Sequence, residues 1–186
     1  MNVKGIFFVI TKTAMIQVFG EERWNAFMAR MVEKDAYFKT AIISITPIPV
    51  EKEIILFDEM CKEFFNNDKR QYETFGRTGA KYALSPGGTY QSYLLNKDIK
   101  QFVEFVLPKL WSTYYDGGVA TARLENNVAH IKLTGIDIKN EYFEQMVKGY
   151  FQQALKVFGK KSVVKKIRSR ASGDEDIYFQ LELKDA

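Results

Sequence analysis

Very few residues in this chain could carry chemistry. His130 is its one histidine and Cys61 its one cysteine. A nucleophile–imidazole mechanism would have to run through His130 alone, and a zinc site built from cysteine and histidine lacks ligands. No disulfide can form within the chain, which fits a reducing compartment. His130 alternates with Ala129 and Ile131 and shares its parity with Val128 and Lys132. That pattern reads as the partly solvated face of a strand, an ordinary surface histidine with no partner motif nearby. Cys61 falls on an apolar helical stripe and reads as a small buried core residue.

The acidic clusters are Glu21-Glu22 and Asp174-Glu175-Asp176. Neither has calcium-loop spacing, so they read as a helix N-terminus and a turn, and no metal site is expected. Ser85-Pro86-Gly87-Gly88 and Asp116-Gly117-Gly118 match no phosphate-binding fingerprint and read as turns. Basic charge gathers at Lys156, Lys160, Lys161, Lys165, Lys166, Arg168 and Arg170. Lys166, Arg168 and Arg170 have one parity, so on an unbroken strand they line one face. That face is either simply solvated or docks an acidic protein, with nucleic acid the weaker partner because no nucleic-acid motif accompanies it. Phe102, Phe105, Val106, Leu110 and Trp111 form an apolar stripe that is either core or the wall of an apolar pocket.

Composition bounds the frame for these residues. A length of 186 residues suits one domain spanning 1–186. With 46% hydrophobic residues, including 15 Phe and 10 Tyr, it can bury a sizeable core. The formal charge of +4 is too small to argue for an anionic partner by itself. The apolar run Ile6–Ile10 is too short for a signal peptide, and no stretch is long enough to span a membrane. The expected location is cytoplasmic.

Residues 3–19 have mostly helical spacing, although the Ile6–Ile10 run could begin as a strand, and Gly20 ends the helix. A second helix starts at Glu21-Glu22. Residues 32–49 read as a connector, with Pro49 as the first residue of a helix carrying Val50, Ile54, Phe57, Cys61 and Phe64. Asp68 and Gln71 have capping spacing for the next helix. Its small residues Gly76, Gly79 and Ala83 permit close approach of a neighbour. Residues 89–95 form a short helix. Asp98 and Gln101 cap another, within which Pro108 should kink or break the chain. The period changes after Tyr115. Val119–Leu124 and Val128–Leu133 read as a hairpin around Glu125-Asn126-Asn127. Asn140 and Gly159 bracket a helix. Residues 162–171 and 177–184 read as a second hairpin, the last strand alternating strictly. The fold class is therefore α+β: a helical part, 1–115, packed on a four-stranded antiparallel sheet of ββαββ order, 116–186.

Three patterns stand out: Val3-Lys4-Gly5-Ile6-Phe7-Phe8 through Phe19-Gly20-Glu21-Glu22, Leu110-Trp111 through Tyr114-Tyr115-Asp116-Gly117-Gly118, and Arg168 to Asp174 followed by Phe179. With the element order, they resemble the haem NO/oxygen-binding (H-NOX) superfamily, and more closely its haem-free vinyl-reductase-type and uncharacterised myxobacterial relatives. Haem-binding members of such a superfamily carry a proximal histidine on the helix before the sheet and a Tyr-x-Ser-x-Arg motif. The segment 98–115 has no histidine, and Lys132 to Glu141 lacks the motif. Vinyl-reductase-type members carry cysteines near the last hairpin, where this chain has Ser169, Ala171 and Tyr178. The resemblance thus implies a haem-free, cofactor-free, non-catalytic sensor or signalling domain. It would bind a small apolar ligand between helices and sheet, a protein partner, or both, and related folds often pair as homodimers. The alternatives are a haem-based gas sensor of the H-NOX type and a basic docking module for an acidic protein or nucleic acid.

Overall fold

The computed structural model describes residues 1–95 and 98–185. The chain starts as a short strand, β1 (Asn2–Lys4), and turns at Gly5 into α1 (Ile6–Phe19). Only glycine fits at that turn, because a Cβ on Gly5 would lie 2.0 Å from the Ile43 carbonyl oxygen. Gly20, at φ +87°, separates α1 from α2 (Glu21–Lys34). The connector expected at 32–49 is partly ordered. It contains a 3-10 turn over Ala36–Lys39 and the strand β2 (Pro47–Pro49), which pairs antiparallel with β1 through Val3 and Ile48. Pro49 precedes helix α3 (Val50–Phe64) rather than opening it. Next come α4 (Gln71–Leu84) and a 3-10 turn at Gln91–Leu94.

Asp98 caps the next helical stretch, its carboxylate accepting from the amides of Lys100 and Gln101. The stretch does not break at Pro108. It runs from α5 (Ile99–Gln101) through a π-helical turn at Phe102–Val106 into α6 (Leu107–Tyr114). The Leu107 amide bonds back to the Phe102 carbonyl, five residues away. The π-turn absorbs the residue for which proline offers no donor.

Strands β3 (Val119–Glu125), β4 (Val128–Thr134), β5 (Lys160–Arg168) and β6 (Ile177–Asp185) form one antiparallel sheet in the order β3-β4-β6-β5, as the two-hairpin pattern predicts. Asn126 and Asn127, both at positive φ, make the two-residue turn between β3 and β4. Helix α7 (Glu141–Phe158) starts where the Asn140 side chain accepts from the Phe143 amide and ends at the left-handed Gly159. It lies between the sheet and α4. Glycines set the spacing on the α4 side: a Cβ on Gly76 would sit 1.9 Å from the Met146 carbonyl oxygen, and one on Gly149 2.2 Å from that of Glu73. Glu73 also binds Lys148 across this contact and Arg77 on its own helix. Buried side chains of the helical part and of the sheet form one continuous cluster.

Candidate functional site

Helices α1, α6 and α7 converge where the helical part meets the sheet part. Phe7, Leu110, Trp111, Tyr114, Tyr150 and Met146 stand around a void of ≈ 20 Å³, room for about one water. Its walls are mostly apolar rings and methyl groups, with phenols from Tyr114, Tyr115 and Tyr150 among them. The hydroxyls of Tyr114 and Tyr150 are buried and have no partner beyond each other. Their rings pack edge to face at 5.4 Å, and the phenols are near enough to influence each other's ionisation. Burial pushes both phenols above the ordinary tyrosine range, so they stay protonated. A buried hydroxyl with unused hydrogen-bonding capacity is costly, so the pair can bond to a donor or acceptor that enters. Trp111 holds one wall in place: its indole N–H donates to the Gly117 carbonyl at 3.1 Å, and its ring stacks on Tyr115 at 4.3 Å.

Phe7 is also the wall of a second, smaller void of ≈ 10 Å³ lined by Glu53, Phe38, Ile48 and Phe57. Glu53 is buried, and neither carboxylate oxygen has a partner. Burial pushes its pKa up to about 8. The adjacent Lys52 does not neutralise it, because the Lys52 ammonium pairs with Asp35 and lies over the Tyr37 ring. Glu53 follows Val50 by three residues and precedes Phe57 by four, so helical spacing already put it on the apolar stripe of α3.

The structure brings together two of the five expected pocket residues. Leu110 and Trp111 line the central void. Phe102 is buried elsewhere, stacked on Phe158 at 4.5 Å, and Val106 is half-buried away from the void. Phe105 is 68% exposed. The π-turn is the reason: one extra residue rotates the side chains around it by about 100° relative to an α-helical stripe. Tyr114, Met146 and Tyr150 complete the site, and only their membership of apolar stripes marked them in the sequence.

The basic face needs a correction too. Lys166, Arg168 and Arg170 do not share a face, because β5 shifts register between Lys166 and Arg168. Lys166 turns inward to the fully buried Glu144 carboxylate at 2.8 Å. Glu144 also accepts from the Ser169 hydroxyl and the Ala171 amide, which pins the turn after β5 to α7. Arg168 turns outward, grips Asp176 and covers the Tyr178 ring. Arg170 lies in a 3-10 turn and donates to the Asp174 carbonyl.

His130 lies on the outer face of the sheet, 14% exposed, with Nδ1 2.6 Å from the Tyr178 hydroxyl. Cys61 is buried and its thiol is pushed up to about 11. Among the described residues no group of three His, Cys, Asp or Glu side chains could hold a metal ion, and no helix is long and apolar enough to cross a membrane.

A helical part joined to a ββαββ sheet, with an aromatic junction between them, defines an α+β architecture. No family model matches the sequence, and no curated protein matches it. Solved structures do match. An H-NOX protein from S. oneidensis in the Fe(II)NO ligation state has a TM-score of 0.72 at 13% identity, covering 98% of this chain and 99% of that one. An H-NOX domain from Shewanella oneidensis in the Fe(II)CO state gives 0.69 at 13%, with coverage of 98% and 99%. A mutant Fe(II) unliganded H-NOX protein from K. algicida gives 0.66 at 14%, with 98% and 97%. The chain has an H-NOX-like fold. At these identities the likeness shows the fold alone.

The haem that such neighbours imply does not fit the residues present. The chain's one imidazole is on the outer face of the sheet, bonded to Tyr178. Residues 99–114 contain no histidine, and the central void is far below the several hundred Å³ that a ligand of that size fills. A tyrosinate ligand requires a deprotonated phenol, and burial favours the protonated form at Tyr114 and Tyr150.

Proposed function

We propose that this chain is a haem-free, non-catalytic sensor or signalling module of H-NOX-like fold. It takes a small apolar ligand at the α1–α6–α7 junction and passes the resulting shift to a protein partner. The observation that carries this reading is the pair of neighbouring buried hydroxyls, Tyr114 and Tyr150, which meet no polar group but each other beside a largely apolar void. Such a site suits a ligand with an apolar body and one hydrogen-bonding group. Entry of anything larger than water requires α6 to move against α7, and the Trp111–Gly117 bond transmits that movement to the turn leading into the sheet. A non-catalytic role agrees with the chemistry at hand. His130 bonds to the Tyr178 hydroxyl, and Cys61 is buried as a thiol. The 186 residues then act as one unit, in a cytoplasmic setting consistent with a single reduced cysteine.

Native mass spectrometry of the freshly purified full chain tests this. The expected result is an organic adduct of low mass that is released on denaturation. The Tyr114→Phe, Tyr150→Phe double variant keeps the volume and removes both hydroxyls. It should hold the adduct roughly thirtyfold more weakly, at about 1 kcal/mol per hydrogen bond for two bonds. Equal retention by the double variant would contradict the assignment of the site.

A further inference from the structure

We propose that the outer face of the ββαββ sheet is the docking surface for an acidic, Asp/Glu-rich segment of a protein partner. This rests on the reading of the chain as a signalling module and gives that module its surface of contact. Strand register puts Arg123, Lys132, Lys161, Lys165, Arg168 and Lys184 on this face, opposite the side covered by α7. Three carboxylates accompany them. Glu125 pairs with Arg123, Glu182 with Lys184, and Asp176 with Arg168. Lys161 and Lys165 form no ion pair among the described residues, and Lys132 shares Asp176 with Arg168 at longer range. The face therefore holds most of the excess charge of a chain whose net charge is +4.

The charge is also shaped. Thr121, Arg123, His130 and Lys132 surround a hollow of ≈ 160 Å³ on the β3–β4 side. A hydroxyl, a guanidinium, an imidazole and an ammonium are all able to donate there, the set that a carboxylate side chain accepts from. Val119 and Val163, 60% and 55% exposed, supply apolar contact at the two edges of the same face.

Two observations favour a protein over nucleic acid. A nucleic-acid sheet platform offers bare rings for base stacking. Here Tyr178 is 9% exposed, with the Lys132 ammonium 5.3 Å and the Arg168 guanidinium 5.0 Å from its ring centre. The interspersed Glu125, Glu182 and Asp176 also oppose a uniformly anionic backbone, whereas a protein segment can meet them with its own cations.

The test is an amide NMR titration of the full-length protein with a twelve-residue Glu/Asp peptide, and separately with a twelve-nucleotide oligo-dT. The expected result is saturable, salt-weakened binding of the peptide, with shifts centred on Arg123, His130, Lys132 and Gln180. Lys132→Glu with Lys165→Glu should weaken it at least tenfold without altering thermal stability. The same charge change at Lys12 and Lys81, exposed on the helical part, should weaken it less than threefold. Equal losses in the two double variants would reduce the effect to net charge and overturn the proposal. Tighter binding of the oligonucleotide on this face would overturn it in favour of nucleic acid. Shifts centred on another face would overturn this surface and leave the signalling reading standing, since that reading is judged by the ligand experiment above.

Discussion

Glu53 couples the stability of this fold to pH in a way that one substitution isolates. Its carboxyl is buried and unpartnered, and its pKa rises from 4.5 to about 8 on folding. Below pH 4.5 the group is protonated in both the folded and the unfolded chain. Between pH 4.5 and pH 8 the unfolded chain ionises it while the folded chain keeps the proton, so stability falls as pH rises. The slope is about 1.4 kcal/mol per pH unit, or ~5 kcal/mol over the full window. From pH 5 to pH 7 the loss is about 3 kcal/mol. At about 2–4 °C per kcal/mol for a chain of this length, it corresponds to a drop in Tm of roughly 6–12 °C. Carboxylates held low by partners, such as Asp35 beside Lys52 and Asp176 beside Arg168, lose their contribution only as pH falls toward their folded values, below this window. Glu53→Gln has nearly the same shape and no proton to lose. Thermal unfolding followed by circular dichroism should give a wild-type Tm that declines from pH 5 to pH 7 relative to that of Glu53→Gln. Parallel Tm curves would refute the assignment of a protonated carboxyl to this void.

Three further outcomes follow from the packing. Glu144→Ala leaves Lys166, the Ser169 hydroxyl and the Ala171 amide without their acceptor, and should cost ~3–5 kcal/mol in chemical denaturation. Gly76→Ala drives a methyl group into the Met146 carbonyl and forces α4 away from α7, a loss of ~1–3 kcal/mol or more by the same assay. Cys61, buried with its thiol at about 11, should resist a thiol reagent at pH 8 in the native protein and react fully once denatured. Prompt native labelling would show that α3 opens far more readily than its packing implies.

The closing ββαββ unit is legible in the sequence because its signals are local. The strict alternation from Ile177 to Lys184, the Asn140 cap, the left-handed Gly159 and the Asn126-Asn127 turn each act within a few residues. The β1–β2 pair is not legible. Its strands have three residues each and lie more than forty residues apart, so neither shows a period. The shared faces assumed for the two sets of site residues are interrupted by a change of phase inside an element. Phe105 and Trp111 are six residues apart, about 120° around even an unbroken helix, and the π-turn at 102–106 changes the phase of the stripe further. A bulge between Lys166 and Arg168 flips the parity that was to align them with Arg170. Periodicity assumes an unbroken register and cannot see either. Glu53 and Glu144 were legible in part, since both sit at core positions of their helices, but only three-dimensional packing distinguishes the unpartnered carboxyl from the fully bonded one.

The central claim is that an H-NOX-like fold here serves a chemistry without haem. The most direct measurement is the absorption spectrum of the purified full chain, before and after incubation with stoichiometric haemin and removal of excess by gel filtration. The account predicts no Soret band co-eluting with the protein in either sample. A sharp Soret band at one equivalent, shifting on addition of NO or CO and abolished by a single substitution at Tyr114, Tyr150 or His130, would contradict it.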